Sequence, residues 1–338
     1  MSRDALKTLF YPFEAEALSL PGKGTRALFL GAEPGFRLPE GFGAELTLVQ
    51  GFRPHFVSLQ SAGHHVVQRA EGEGYDLALV LAGRHRGLNE LRIADAIERT
   101  GEGGTIVIAG GKEDGIASLR KRLGGLIEIV DHLPKYHGTV LWLRRDEVAL
   151  AAAAALRADN PETLVEDRFR TAPGMFSFDR VDTGSRLLVE HLPDDIKGKV
   201  ADFCSGWGYV AAEVAARAKE LKALELFEAD FDALEASRSN VRTALVEPRF
   251  HWQDLLKEPV ERRFDMVVMN PPFHQDREGD PEVGQRLIRA ASAALKPGGR
   301  LLMVANRHLP YQPVLAASFA WHQELALDGG FRIWAARR

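Results

Sequence analysis

The chain has 338 residues, of which 45% are apolar and 27% charged, with a formal net charge of −4. Such a composition excludes a disordered, fibrous or membrane-embedded protein, and the length predicts two domains of roughly 150 residues each. Residues 1–150 carry 18 Lys+Arg against 19 Asp+Glu, so the first half is no basic module, and a nucleic-acid partner would have to meet local clusters such as Arg84-His85-Arg86 or Arg120-Lys121-Arg122.

The N-terminal Met1-Ser-Arg-Asp-Ala-Leu-Lys carries no apolar stretch of the secretory kind, and Cys204 is the single cysteine, so no intrachain disulfide can form and a cytoplasmic location is expected. A first strand is predicted over 26–31 and a second over 75–81, followed by a helix over 88–99, a Gly101-Glu-Gly-Gly turn and a strand over 105–109. The same order returns later: Phe264-Asp-Met-Val-Val-Met as a strand, a helix over 283–295, then Lys296-Pro-Gly-Gly and a strand over 301–304. An apolar strand, a helix and a second apolar strand form a parallel βαβ unit, so each half reads as a doubly wound α/β domain, the second a copy of the first.

Between them, 146–158 is alanine-rich and favours helix. Its longest apolar run, 148–156, is nine residues, too short to cross a bilayer. The boundary is expected within 146–175, giving a first domain over 1–150, a linker over 151–175 and a second domain over 176–338. Further strands are expected over 200–203 and 224–227, with a third short one before His251. The runs 321–327 and 331–335 flank Asp328-Gly-Gly and predict a closing hairpin.

The sharpest motif is Asn270-Pro271-Pro272-Phe273, directly after the strand 264–269. Open α/β sheets place ligands at strand ends. An exocyclic amine on a planar base is a poor nucleophile, and two acceptors, the Asn270 amide oxygen and the Pro271 carbonyl, would orient it and stabilise developing positive charge. Consecutive prolines fix φ, and Phe273 offers a face for a base drawn from its stack.

Upstream, Asp202-Phe-Cys-Ser205-Gly206-Trp207-Gly208 ends a strand and opens a helix. Glycines admit a close ligand and the helix start adds a positive dipole end. Glu228 ends the next strand, where a carboxylate would accept ribose hydroxyls, and Asp254 follows the third, placed for an adenine amino group.

In this order the motifs resemble a class I S-adenosylmethionine-dependent methyltransferase. They are most similar to the bacterial ribosomal RNA guanine-N2 methyltransferases of the small-subunit type C and large-subunit type G. The segments Ala172-Pro-Gly-Met-Phe176-Ser177, Asp182-Thr-Gly184-Ser185-Arg-Leu-Leu188, His274 and Val304-Ala-Asn306-Arg-His-Leu-Pro310-Tyr311 carry the same likeness.

The resemblance implies two tandem Rossmann-like methyltransferase domains. The first is degenerate, and the second is catalytic, with a mostly parallel seven-stranded sheet and a C-terminal antiparallel hairpin. S-adenosylmethionine is the implied cofactor, held by Asp202, Ser205, Gly206, Gly208, Glu228, Asp254 and Asn270, with Asn270, Pro271, Pro272 and Phe273 facing the target guanine. The implied partner is ribosomal RNA, most simply 16S, or a ribosomal subunit, met by a monomer without membrane contact. Cys204 departs from the family, which has glycine there, so a left-handed backbone at Cys204 would be strained.

In the first copy, Leu81-Ala82-Gly83-Arg84 lies opposite Asn270-Pro271-Pro272-Phe273, and its Gly31-Ala-Glu-Pro34-Gly35 loop lacks the acid and the Gly-x-Gly. It is therefore expected to bind no cofactor and to contact RNA or support the second half. The histidines show no metal-ligand spacing beyond His64-His65 and His132 with His137, so no metal is expected. Methylation of another nitrogen (23S guanine, adenine N6, cytosine N4 or a glutamine amide) and a non-catalytic RNA-binding assembly factor stay open as alternatives.

Overall fold

The computed structural model describes residues 4–272 and 281–338, so Phe273 and His274 lie outside the described residues. The chain divides into two compact units, 1–162 with 172–174, and 163–171 with 175–338.

The first unit holds strands β1 (Arg26–Leu30), β2 (Glu45–Val49), β3 (Val66–Val67), β4 (Tyr75–Leu81), β5 (Thr100–Gly111), β6 (Asp131–Lys135) and β7 (Gly138–Arg144). Its helices are α1 (Asp4–Glu14), α2 (Arg53–Ser61), α3 (Arg86–Arg99), α4 (Ile116–Gly124) and α5 (Glu147–Ala158). The sheet order is β3-β2-β1-β4-β5-β7-β6, parallel except for the antiparallel pairs β5·β7 and β6·β7. Six of the seven residues of β4 are buried, because helices cover both faces of a parallel sheet. One apolar layer packs Val80, Ile93, Ile97, Ile108 and Leu156. The opposite layer packs Leu6, Phe10, Phe29 and Trp142 around α1.

The second unit begins with the short pair β8 (Thr163–Val165) and β9 (Phe169–Thr171). Then follow α6 (Thr183–Glu190), β10 (Lys197–Phe203), α7 (Tyr209–Arg217), β11 (Glu220–Glu228), α8 (Phe231–Asn240), β12 (Arg249–Trp252) and β13 (Phe264–Met269). It closes with α9 (Pro281–Ala294), β14 (Leu295–Asn306), α10 (Gln312–Ser318), β15 (Trp321–Asp328) and β16 (Phe331–Arg337). The order β12-β11-β10-β13-β14-β16-β15 repeats that of the first sheet. The expected α/β class, the tandem repeat, the mostly parallel seven-stranded sheet and the closing hairpin are all present. Order reverses between β10 and β13, and that switch point opens a crevice at the strand ends.

Register makes the two sheets comparable residue by residue. Leu30 pairs with Val49 and Val80, as Phe203 pairs with Phe227 and Met269. Phe29, Gln50 and Leu81 therefore take the places of Asp202, Glu228 and Asn270, and all three are buried.

Among the differences from the sequence reading are those at α5, β12 and the β6–β7 hairpin. Residues 151–162, expected in a linker, belong to the first unit: Asp146 caps α5 through the Ala149 amide (2.8 Å), and buried Ala149, Ala153 and Leu156 join the layer formed by α3. His251 and Trp252 lie within β12 rather than after it. The hairpin β6–β7 has no counterpart among the expected elements, because its turn residues, Tyr136-His137, carry no Asn-Gly type of signal. Among the described residues no helix is long and apolar enough to cross a membrane, and no group of three or more His, Cys, Asp or Glu is arranged to hold a metal ion.

Candidate active site

β10 delivers Asp202 to the crevice and the chain then turns sharply. Cys204 (φ +58°), Gly206 (φ +53°) and Gly208 (φ +90°) are all left-handed, so the strain expected at Cys204 is present. Gly208 has no alternative residue: a Cβ there would lie 2.7 Å from Val241 Cγ2 and 2.9 Å from Ser237 Cβ. A Cβ on Gly206 would meet nothing within 4 Å, leaving open space above the loop. Trp207 also lines the cleft; its indole N–H donates to the Phe176 carbonyl (2.9 Å) and its ring packs on Phe169.

Glu228 ends β11 and braces the same loop. Its Oε2 accepts from the Gly206 amide (2.7 Å), and its Oε1 accepts from those of Ala229 (2.8 Å) and Asp230 (2.9 Å). Asp254 is buried beyond β12, where Oδ1 accepts from the Leu256 amide (3.0 Å). It lies outside the cleft lining, one strand further along the sheet.

Asn270 follows β13, with Pro271 buried and Pro272 exposed. Its Nδ2 donates to Ser185 Oγ (2.7 Å) and Asp182 Oδ2 (3.1 Å). Asp182 is the N-cap of α6 and accepts there from the Ser185 amide (2.8 Å). With both amide hydrogens engaged, Asn270 Oδ1 is buried without a partner among the described residues. Asp202 Oδ2 and Ser205 Oγ are in the same condition. Buried polar atoms are almost always satisfied, so three orphaned acceptors or donors in one place mark a ligand site.

These atoms meet in one cleft that opens to solvent. Of the expected residues, Asp202, Ser205, Gly206 and Asn270 line it. Gly208 and Glu228 shape the loop from behind. Phe176, Ser177, Asp182, Ser185 and Tyr209 also line it. Sequence chemistry alone gave them no role, although Phe176, Ser177, Asp182 and Ser185 stand in segments that carried the resemblance.

Burial dominates the titration of the acids around the cleft. Burial pushes the Asp202 carboxyl well above the usual range; the Ala211 amide offsets this and Glu228 adds to it. Glu228 is raised by burial and drawn back by its three backbone hydrogen bonds. Burial, then Glu228 and Asp202, push the Cys204 thiol up, which leaves it a packed loop residue rather than a nucleophile.

The first unit has none of this. At the end of β4 the Asn89 side chain bridges the Gly83 amide (2.7 Å) and carbonyl (2.6 Å), and Arg92 Nη1 donates to the Leu81 carbonyl (3.3 Å). Side chains fill the strand-end space that the second unit leaves open.

Residues 166–335 match the model of the methyltransferase small domain family. Over 167 residues the chain is 38% identical to "Ribosomal RNA small subunit methyltransferase C" of Escherichia coli O1:K1 / APEC, covering 49% of this chain and 48% of that protein. The protein of that name from Shigella sonnei (strain Ss046) matches equally. The chain spans about half the length of these curated relatives. The T. thermophilus 16S rRNA N2 G1207 methyltransferase, solved with AdoMet and guanosine, superposes with a TM-score of 0.78 at 24% identity, over 99% of this chain and 91% of that one, and shares its fold. With the family match spanning half of its length, the chain belongs to the methyltransferase small domain family.

Proposed function

We propose that this protein transfers a methyl group from S-adenosylmethionine to the exocyclic N2 amine of a guanine in 16S ribosomal RNA. The observation that carries the reading is Asn270: its amide oxygen is buried, unpartnered and oriented into a cleft whose other unpartnered atoms belong to Asp202 and Ser205. The names of the curated relatives and the guanosine bound in the structural neighbour support the same substrate.

The residues fit the cofactor. Asp202 and Ser205 present unpartnered polar atoms for its amino-acid end and Gly206 leaves room beside them; Glu228 at the end of β11 and Asp254 beyond β12, neither lining the cleft, are proposed for ribose and adenine. When bound, S-adenosylmethionine supplies an electrophilic methyl group next to a positive sulfur.

Asn270 Oδ1 and the Pro271 carbonyl accept the two N–H bonds of the guanine amine. That grip points the nitrogen lone pair along the transfer direction and stabilises the positive charge it acquires. No residue is assigned as general base, because the methylated amine releases its proton to water. Phe273, beyond the described residues, is proposed as the stacking face. The first unit is assigned no cofactor site, since Phe29, Gln50 and Leu81 replace the acids and the amide. The protein is proposed to work as a monomer in the cytoplasm.

Mapping of methylated guanosines in ribosomal RNA from cells with and without the gene tests the proposal. One 16S guanosine should lose its N2-methyl group when the gene is deleted and regain it with the purified protein. Loss of a 23S or non-guanine mark instead, or no change, would overturn it.

A further inference from the structure

The turn of the β6–β7 hairpin is built against local preference. Lys135 pairs with Gly138, so the loop is Tyr136-His137, and both residues are left-handed (φ +49° and +58°). A two-residue hairpin turn of this kind strongly favours Asn-Gly, because bulky side chains are crowded at positive φ. Strained backbone kept in place points to a use for the side chains it displays.

Those side chains form one cluster. The Tyr136 ring packs edge-on against Tyr11 of α1, centroids 6.0 Å apart. Lys135 Nζ lies 5.2 Å from the Tyr11 centroid and 5.5 Å from that of Tyr136, with Lys7 Nζ 6.0 Å from Tyr136. Lys7 and Tyr11 share a helix face at i, i+4. Between them, buried Thr8 donates its hydroxyl to the Lys135 carbonyl (2.9 Å) and pins the hairpin to the helix. Tyr136, Lys135 and His137 are exposed. Asp4 reaches Lys7 only at 3.8 Å across solvent, and no carboxylate pairs with Lys135 among the described residues.

We propose that this cluster is a docking surface for an unpaired stretch of RNA, an inference that rests on the proposed RNA substrate. The exposed Tyr136 ring and half-buried Tyr11 ring beside exposed ammonium groups match what a single strand offers, bases free to stack and phosphates every few ångströms. A duplex hides its base faces and would use the lysines alone. In the other basic clusters Arg86 is bonded to Glu90 (2.8 Å) and Arg122 to Asp159, and neither of these arginines stands over an aromatic ring among the described residues.

The test replaces the turn with the residues it prefers. Tyr136→Asn with His137→Gly should raise the melting temperature by roughly 2–4 °C by relieving the turn. The same variant should bind a short oligouridylate about tenfold more weakly, with S-adenosylhomocysteine affinity unchanged. Lys7→Gln with Lys135→Gln should reduce the slope of log Kd against log salt by about 1.4 for that oligouridylate. In methylation of protein-free 16S RNA, both variants should raise KM and keep kcat. Unaltered oligouridylate affinity and salt slope would overturn the proposal, as would an equal loss for a duplex of the same length. If the wild type methylates 16S RNA and the variants bind like it, the docking surface fails while the proposed function stands. If the wild type methylates 16S RNA neither free nor in the small subunit, that function fails, and oligouridylate binding alone judges the surface.

Discussion

Asn270 and Asp182 are 88 residues apart in sequence, yet the amide nitrogen of one lies 3.1 Å from a carboxylate oxygen of the other. An ionised carboxylate only accepts hydrogen bonds, so Asp182 determines which end of the amide faces it and therefore which end faces the cleft. Asn270→Ala should lower kcat by an amount corresponding to about 2–4 kcal/mol, with little change in cofactor affinity. Ser185→Ala, which removes the shorter of the two anchoring bonds, should cost about tenfold. Single-turnover methylation separates these losses from binding, and near wild-type turnover in Asn270→Ala would remove it from the chemistry.

Glu228 accepts three backbone hydrogen bonds, and Gln50 shows that glutamine at the equivalent place still holds the turn, its Oε1 accepting from the Phe52 amide at 2.8 Å. Glu228→Gln should therefore stay folded while losing charge-assisted bonds to the ribose, raising the Kd for S-adenosylhomocysteine about tenfold or more. Calorimetry should give one site per chain for the wild type. A stoichiometry of two would mean that the first unit also binds.

Gly208→Ala places a methyl group 2.7 Å from Val241 at φ +90°. The strain and the overlap together should destabilise the second unit by about 2–4 kcal/mol. The expected signature is a lower denaturation midpoint at an unchanged slope.

Asp230 caps α8 by accepting from the Ala233 amide (3.0 Å). Burial, assisted by the charges of Asp232 and Glu228, pushes its carboxyl up to about 7, against the Ala233 hydrogen bond that lowers it. With the folded value above the unfolded one, its contribution to stability is fully present below the unfolded value and is lost as pH rises through about 7. Asparagine caps equally well and carries no charge. Asp230→Asn should thus be more stable near pH 8, by on the order of 2–4 kcal/mol, with the gain gone near pH 4. A pH-independent difference between the two proteins would contradict this.

The sequence made the parallel scaffold legible because buried strands such as Phe264–Met269 read as unbroken apolar runs. It also exposed the strand-end acids and Asn270, since those positions follow the runs directly. Asp182 and Ser185 escaped chemical reasoning: a helix cap with a serine three residues on is what most helices begin with, and only the fold brings them to Asn270. Helix α5 was legible as a helix but not as part of the first unit, because an alanine-rich face gives little hint of what it packs against. The turn Tyr136-His137 hid its hairpin by lacking the residues that usually announce one.

Gln50 and Glu228 carry a consequence for tracing ancestry within the chain. Both brace the loop that follows them by accepting an amide two residues on, at 2.8 and 2.9 Å. Glu228 alone of the two carries an ionisable group. The shape of that side chain is thus maintained by architecture, and only its ionisation by a ligand. Divergence within this fold can thus exchange carboxylate for amide at this place without loosening the scaffold, while the changes at Phe29 and Leu81 remove the other polar groups of the site.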